Sequence, residues 1–418
     1  MDDLANHEQP VVIISADSHA GARMADYREY LDRRWHDDFD AWAEGFRNPW
    51  RFAGDPDGDN ALPGRGVNWD SSSRLEHLDA QGVAAEVLYP NTIPPFFPSL
   101  ALFGSVPSSA EDYERRWAGL QAHNRWMSEF CADAPPRRAG LAQLFVNDID
   151  DAMCEVRWAR EHGLRGVLIQ AVPPNHPTVP ALWSDHYDPL WAVCQDLEMP
   201  VHQHNGGGAP DMKDDDAAGR AVLGLEIAFF SHRTLWHLIV GGAFERFPNL
   251  RFVVTESGAS WIPRTLATLD EMFDRYRENT SIGQFGMDAM SGLSLNGTEY
   301  FARNCYVASF LTPAETGMRD AIGTENMMWG TDFPHEESTY PFEREAERRA
   351  FSAVPTEDAR RILGLNALAL YDLPGRELGI LAARIGPSPA AIRVPLDGSP
   401  GNTRSCPVFR ERDALSVV

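Results

Sequence analysis

The chain has 418 residues, 43% of them hydrophobic, which allows a substantial core and a βα barrel of more than about 250 residues in one domain. Its 61 acidic residues against 37 Lys and Arg give a net charge of −24, which argues against nucleic-acid backbones and anionic membranes as partners because both would repel it. A small anionic substrate stays open, since a bound metal or an arginine overrides the global field locally.

Residues 1–10 are acidic and polar, with no apolar signal core, so a cytoplasmic location is expected. From there, short β-rich runs alternate with amphipathic stretches. Strands are predicted at 11–15, 85–89, 140–145, 166–171, 201–204, 251–255, 305–309 and 327–330, all rich in Val, Ile, Leu and Phe. They lack strict polar alternation, as parallel strands buried on both faces do. Helical patterns lie between them, among them 148–162, 188–198, 261–276 and 356–370. Eight alternating units point to a (β/α)8 TIM-type barrel over residues 1–373, with a doubly wound sheet as the alternative. Three insertions interrupt the pattern near 36–70 (with Trp42, Trp50 and Trp69), 205–220 and 277–298. In a barrel, loops after strands form the active-site face, so these are expected to help cover a substrate. Residues 374–418 read as a C-terminal arm packed on the barrel or on a neighbouring subunit, or as a partly disordered tail.

Five cysteines, Cys131, Cys154, Cys194, Cys305 and Cys406, are scattered without a CxxC pair, which disfavours a disulfide framework or a zinc ribbon. Lys213 is the only lysine, which closes P-loop chemistry and most Schiff-base chemistry.

The informative residues sit at strand ends. The first strand runs into Asp17-Ser18-His19, whose two-residue spacing puts both ligand-type side chains on one side. The fifth carries His202 and His204 in the same relation. The sixth ends at Glu256, and the eighth runs into Asp332 and His335. A barrel gathers these ends around one axis. Imidazole with carboxylate suits zinc, iron, manganese or nickel and disfavours calcium and magnesium, which prefer all-oxygen sites. His202 and His335 are candidates for proton transfer, because an unperturbed imidazole titrates near neutrality. Glu86 is either a further carboxylate of the site or a buried partner for an arginine. His77, His123, His162, His232 and His237 fall within helical patterns and are expected to be structural.

The segments ADSHAG (16–21), PVHQHNGGG (200–208), GGAFERFPNLRFVVTESGASWIP (241–263) and MMWGTDFPH (327–335) resemble the amidohydrolase-2 branch of the amidohydrolase superfamily, from about residue 11 to residue 373. That branch holds metal-dependent hydrolases and non-oxidative decarboxylases similar to aminocarboxymuconate-semialdehyde decarboxylase. The resemblance implies metal ligation by Asp17, His19, His204 and Asp332. Asp332 is implied also to move a proton. Glu256 stands where many relatives carry a His beside the metal-bound water, and here it is a base or a ligand. With no lysine at the end of strand four, a carbamate-bridged metal pair is not expected. One ion, or two bridged by Asp or Glu, remains.

The function expected from this is a metal-dependent hydrolase or non-oxidative decarboxylase with Asp332, Glu256, His202 and His335 as its catalytic groups. The cofactor is a divalent transition metal (zinc, iron or manganese, one or two ions), and the substrate is a small carboxylated or carbonyl-containing molecule. A non-haem di-iron monooxygenase of natural-product metabolism on the same barrel is the alternative. A homo-oligomer, a dimer, is the expected assembly.

Overall fold

Polar and apolar periodicity resolve into eight parallel strands: β1 (Ile13–Ala20), β2 (Val83–Pro90), β3 (Arg138–Leu144), β4 (Gly166–Ile169), β5 (Val201–His204), β6 (Phe252–Thr255), β7 (Cys305–Ser309) and β8 (Met327–Trp329). Each pairs with the next in chain order. The chain after β8 returns to β1 through a parallel bridge between Ser18 and Phe333. There the His19 amide donates to the Phe333 carbonyl at 2.7 Å and the Asp332 amide to the Asp17 carbonyl at 2.8 Å. The expected (β/α)8 barrel is therefore present and the doubly wound sheet is not. The structure is a computed structural model and describes residues 9–46, 66–98, 106–170, 172, 176–208, 217–277, 290–401 and 406–410.

Helices begin where the sequence supplies a cap. The side chains of Asp70, Ser109 and Asp148 accept from the amides of Ser73, Asp112 and Asp151, starting the helices Ser71–Gln81, Ala110–Ala132 and Ile149–Glu161. Apolar faces of such helices and the outward strand residues make one core. A second fills the barrel itself with Ile14, Val87, Leu141, Val253 and Met328. Leu368, Tyr371, Leu378 and Ala382, from the segment after β8, belong to this inner core. Part of the 374–418 segment thus packs on its own barrel, through Gly375–Ile385 and the buried Cys406, Val408 and Phe409.

Two local departures from the sequence reading have physical causes. Strand β1 continues past Ser15 through Ala20, because Ser18, His19 and Ala20 pair again with β2. Its register on β2 shifts between Ser15 and Ser18, with Asp17 inside the shift, and the Asp17 and His19 side chains there meet those of His204, Glu256 and Asp332. The 356–370 pattern is helical but contains a π turn, Arg361–Leu365. Gly364 lies in that turn, and a Cβ there would come within 2.0 Å of the Val12 carbonyl, so a bare backbone is needed against β1.

The described part of the 36–70 insertion includes the helix His36–Gly45. Trp42 packs against Phe39, Phe46 and Phe96, with ring centroids 6.0, 4.7 and 5.8 Å away. Residues 47–65 (with Trp50), 209–216 (with Lys213) and 278–289 lie outside the described residues.

Glu86 is a buried arginine partner. Arg74 Nε and Nη2 donate to its two oxygens at 2.8 and 2.7 Å, with both side chains fully buried. Arg138 Nε lies 3.7 Å from Glu86 Oε1, too far to replace that fork. Arg74→Met is expected to cost about 3–5 kcal/mol by stranding a buried carboxylate. Urea denaturation checks this; a loss below about 1 kcal/mol would mean that the Arg74–Glu86 pair adds little to stability.

Candidate metal centre

At the mouth of the barrel the ligand-type side chains converge. His19, on β1, donates from Nδ1 to the Pro90 carbonyl at 3.1 Å, and His204, ending β5, does the same to the Asn205 carbonyl at 2.9 Å. Each ring therefore turns its Nε2 toward the axis, the orientation a metal-binding imidazole takes when its other nitrogen is anchored. His19 Nε2 lies 3.5 Å from Asp17 Oδ1, 3.2 Å from Asp332 Oδ1 and 3.7 Å from Glu256 Oε2. His204 Nε2 lies 3.0 Å from Glu256 Oε2 and 3.7 Å from Asp17 Oδ1.

The backbone is bent to make this meeting possible. Glu256 and Asp332 follow β6 and β8 with φ of 53° and 58°, in the left-handed region that non-glycine residues rarely occupy. Such conformations cost about 1–3 kcal/mol each and cluster at functional sites. Glu256 is held by its amide bond to the Ala308 carbonyl at 2.9 Å. Gly330, just before Asp332, has no room for a Cβ, which would stand 2.5 Å from Asp17 Cβ.

Both oxygens of Asp17 and of Asp332, Nε2 of His19 and of His204, and Oε2 of Glu256 are buried without a hydrogen-bond partner. Leaving so many strong polar atoms buried and unmet is costly unless something else satisfies them. Two overlapping quartets, Asp17–His19–His204–Glu256 and His19–Glu256–Asp332–His335, each hold their ligand atoms within 4.8 Å of one another. Electrostatics point the same way. Burial alone would lower the His204 pKa, but Glu256 and Asp17 outweigh it and push it up to about 10. His19 is likewise driven well above its ordinary value against burial, by Asp17, Asp332 and Glu256. Burial raises Asp17 and Glu256, yet the two imidazoles hold both below the usual carboxylate range. The centre is a pocket of negative charge, and its donor set fits a divalent transition metal.

His335 flanks it. Its ring stacks on His19 with centroids 4.0 Å apart, and its Nε2 donates to Asn91 Oδ1 at 2.9 Å. Asn91 is oriented by its own donation to Asn68 Oδ1 at 2.7 Å. His335 Nδ1 stands 2.8 Å from Asp332 Oδ1.

His202 is not part of this assembly. It is fully buried in the barrel, its Nδ1 on the Val167 carbonyl at 3.0 Å and its Nε2 on the Tyr371 hydroxyl at 2.9 Å. Burial brings its pKa down to about 4, so it stays neutral. Its place is in the packed interior of the barrel, against Val167 and Tyr371, and not among the groups that meet at the mouth.

The family model for amidohydrolases matches residues 73–373. The chain belongs to the amidohydrolase family. Across 74% of this amidohydrolase and 92% of the other protein, it is 25% identical to a gamma-resorcylate decarboxylase of Rhodococcus jostii (strain RHA1). Among solved structures it resembles a 5-carboxyvanillate decarboxylase of Novosphingobium aromaticivorans DSM 12444, solved with bound manganese and 3-methoxy-4-hydroxy-5-nitrobenzoic acid. That likeness has a TM-score of 0.64 at 20% identity and covers 88% of this chain and 99% of the other. An amidohydrolase of Mycobacterium avium subsp. paratuberculosis K-10 is similar at a TM-score of 0.62 and 18% identity, covering 86% and 99%. This chain is accordingly a metal-dependent enzyme of the superfamily, and both hydrolysis and decarboxylation fit it.

Beside the centre lies a cavity of about 230 Å³. His19, His204, Glu256 and His335 form one side of it, and apolar residues such as Ile93, Pro94, Phe97, Leu168 and Ile169 form much of the rest. No Lys or Arg lines it among the described residues. The 36–70 insertion does not reach it among those residues; Trp42 instead buttresses Phe96, the neighbour of the lining Phe97. Sequence reasoning missed Tyr89, Asn91, Gln143, Gln170 and Glu337, which also face the cavity. Burial, with Asp332 nearby, pushes the Glu337 carboxyl up to about 7. The structural reading of His232 agrees with its place: it stacks on Trp261 at 3.8 Å, and its Nε2 donates to the Ser257 carbonyl at 3.1 Å. Among the described residues, no helix is long and apolar enough to cross a membrane.

Proposed function

We propose that this amidohydrolase is a non-oxidative decarboxylase of a small carboxylic acid with a flat, largely apolar body. One or two divalent ions, of zinc, iron or manganese, would be held by Asp17, His19, His204, Glu256 and Asp332. The observation that carries the reading is the convergence of partnerless, buried ligand atoms from four strands beside an apolar cavity. The decarboxylase relative that matches most of the chain supports it. When bound, the metal supplies positive charge that holds the substrate's oxygens and stabilises negative charge as the carboxylate leaves.

The chain's own residues do the rest. The apolar walls orient the body and exclude water, and Asp332, when protonated, delivers its proton to the carbon that bears the carboxylate. The bond from that carbon to the carboxylate then breaks, its electron pair stays on the carbon frame, and CO2 departs. Asp332 regains a proton through His335, whose Nδ1 stands 2.8 Å away. Glu256 serves as a ligand here rather than as a base, because His204 is 3.0 Å from its Oε2.

A second reading rests on one observation: the two quartets together offer three carboxylates (Asp17, Glu256, Asp332) and three imidazoles (His19, His204, His335), a donor set that would hold two ions and suit a di-iron oxygenase. The two differ in their need for O2 and electrons. As-isolated protein, with its metal quantified, is to be incubated with hydroxylated benzoic acids under strict anaerobiosis. CO2 release undiminished by the absence of O2 is expected. Two irons per chain, with product only when O2 and a reductant are supplied, would overturn decarboxylation in favour of oxygenation.

A further inference from the structure

The helix Ala217–Val240, after β5, leaves an apolar face bare. Its inner face is committed to the centre. Ser231 Oγ donates to the His204 carbonyl at 3.0 Å, Thr234 Oγ1 to Gln203 Oε1 at 3.4 Å and His232 Nε2 to the Ser257 carbonyl at 3.1 Å, while Ile227 lines the cavity. The helix therefore braces the strand ends that carry His204 and Glu256. Ile227, Ser231 and Thr234 fall on one side at helical spacing, and Val222, Leu225, Phe229 and Trp236 fall on the opposite side. On that outer side Leu225 is 70% exposed, Phe229 is 53% exposed, and Val222 is exposed with them. The Phe229 ring lies 6.0 Å from that of Trp236, and Trp183, 55% exposed, extends the patch with its ring 4.7 Å from His237. Contiguous apolar surface of this kind marks a contact with another molecule.

Charge identifies the occupant. The chain carries −24 overall, so two copies repel one another unless they meet where acidic groups are scarce. From Ala221 to Val240 the only Asp, Glu, Lys or Arg residues are Glu226 and Arg233. Both belong to the outer side, about two turns apart, with Phe229 between them. Neither takes part in an ion pair among the described residues, and burial lowers the Arg233 pKa with no carboxylate to offset it. A twofold axis beside Phe229 brings Glu226 of one helix opposite Arg233 of an antiparallel copy, and does so twice. The stripe is thus complementary to itself, as a contact between identical faces requires. An anionic lipid surface fits poorly, because a single arginine stands against the negative charge of the whole chain.

We propose that two copies of this chain pack through the outer face of Ala217–Val240, antiparallel about a twofold axis near Phe229, with Glu226 against Arg233 of the partner subunit. The contact covers Leu225 and Phe229 and backs the helix that holds the ends of β5 and β6. Apolar burial supplies the affinity, and the two symmetric ion pairs fix direction and register.

Sedimentation velocity of the as-isolated protein is expected to give the mass of two chains. Leu225→Glu and Phe229→Glu should each weaken the dimer at least about 100-fold, because each places unpaired carboxylates in the seam. Both positions are exposed in the single chain, so the variants should keep the wild-type circular dichroism. Glu226→Arg and Arg233→Glu should each weaken the dimer at least about tenfold, and the two together should restore it to within about threefold of wild type. That recovery reads the pairing itself and cannot come from misfolding. A wild type that sediments as one chain overturns the proposal; if phosphatidylglycerol vesicles then bind it and do not bind Leu225→Glu, the face belongs to a lipid surface instead. A dimer indifferent to Leu225→Glu and Phe229→Glu places the contact elsewhere and overturns the proposal as well. Dimer loss in those variants without recovery in the double swap overturns the antiparallel pairing.

Discussion

Asp332→Asn is expected to keep the barrel folded and most of its metal while lowering CO2 release by about 10²–10⁴-fold, the usual range for a lost general acid. The reason it should fold is local. Asp332 sits at φ 58°, a left-handed conformation that Asn tolerates at least as well as Asp, and its amide still donates to the Asp17 carbonyl. The reason it should fail chemically is equally local. An amide has nearly the shape of the carboxyl but holds no proton that it can give up at working pH. His335, 2.8 Å from Oδ1, then has nothing to reload. Single-turnover CO2 release, metal content and the melting temperature measured on one preparation separate these effects. Near-normal turnover in a metal-loaded variant would remove Asp332 as the proton donor.

The barrel and most of the centre were legible because their signals are local. Short apolar runs at βα spacing give the strands, and a barrel must then gather the residues at their ends. Period two correctly grouped Asp17 with His19, but it does not say which face they share; that depends on the register shift between Ser15 and Ser18. The same period leaves the depth of His202 open. It shares a face with His204 but lies two residues, roughly 6–7 Å, deeper along the strand. At that depth its partner is Tyr371, 169 residues away in sequence, and no local pattern reveals that contact. Gln143 and Gln170 were passed over because neutral amides carry no titration or ligand signal. Only burial without a partner marks them.

His19→Ala is expected to take bound metal well below one equivalent, and variants around it should count the ions. His19 and Glu256 belong to both quartets, Asp17 and His204 only to the first, and Asp332 and His335 only to the second. Removing His19 thus deprives any ion at the mouth, whichever quartet holds it. Losing a mere supporting residue typically costs about 10–100-fold in metal affinity, so the loss of a ligand should exceed that. His204→Ala should empty the first position alone. His335→Ala should leave a single ion in place if only the first quartet is used, and should remove one of two if both are. His202→Gln is the control: it lies outside both quartets and should hold metal at the wild-type level. Stability should follow occupancy, because the Asp17 and Asp332 carboxylates are fully buried and without a hydrogen-bond partner. Metal-free protein should therefore melt below the loaded form, and His19→Ala should gain little stability from added metal. Elemental analysis and thermal melting across these four variants test the set. Full occupancy in both His19→Ala and His204→Ala would take the two imidazoles out of the metal's coordination.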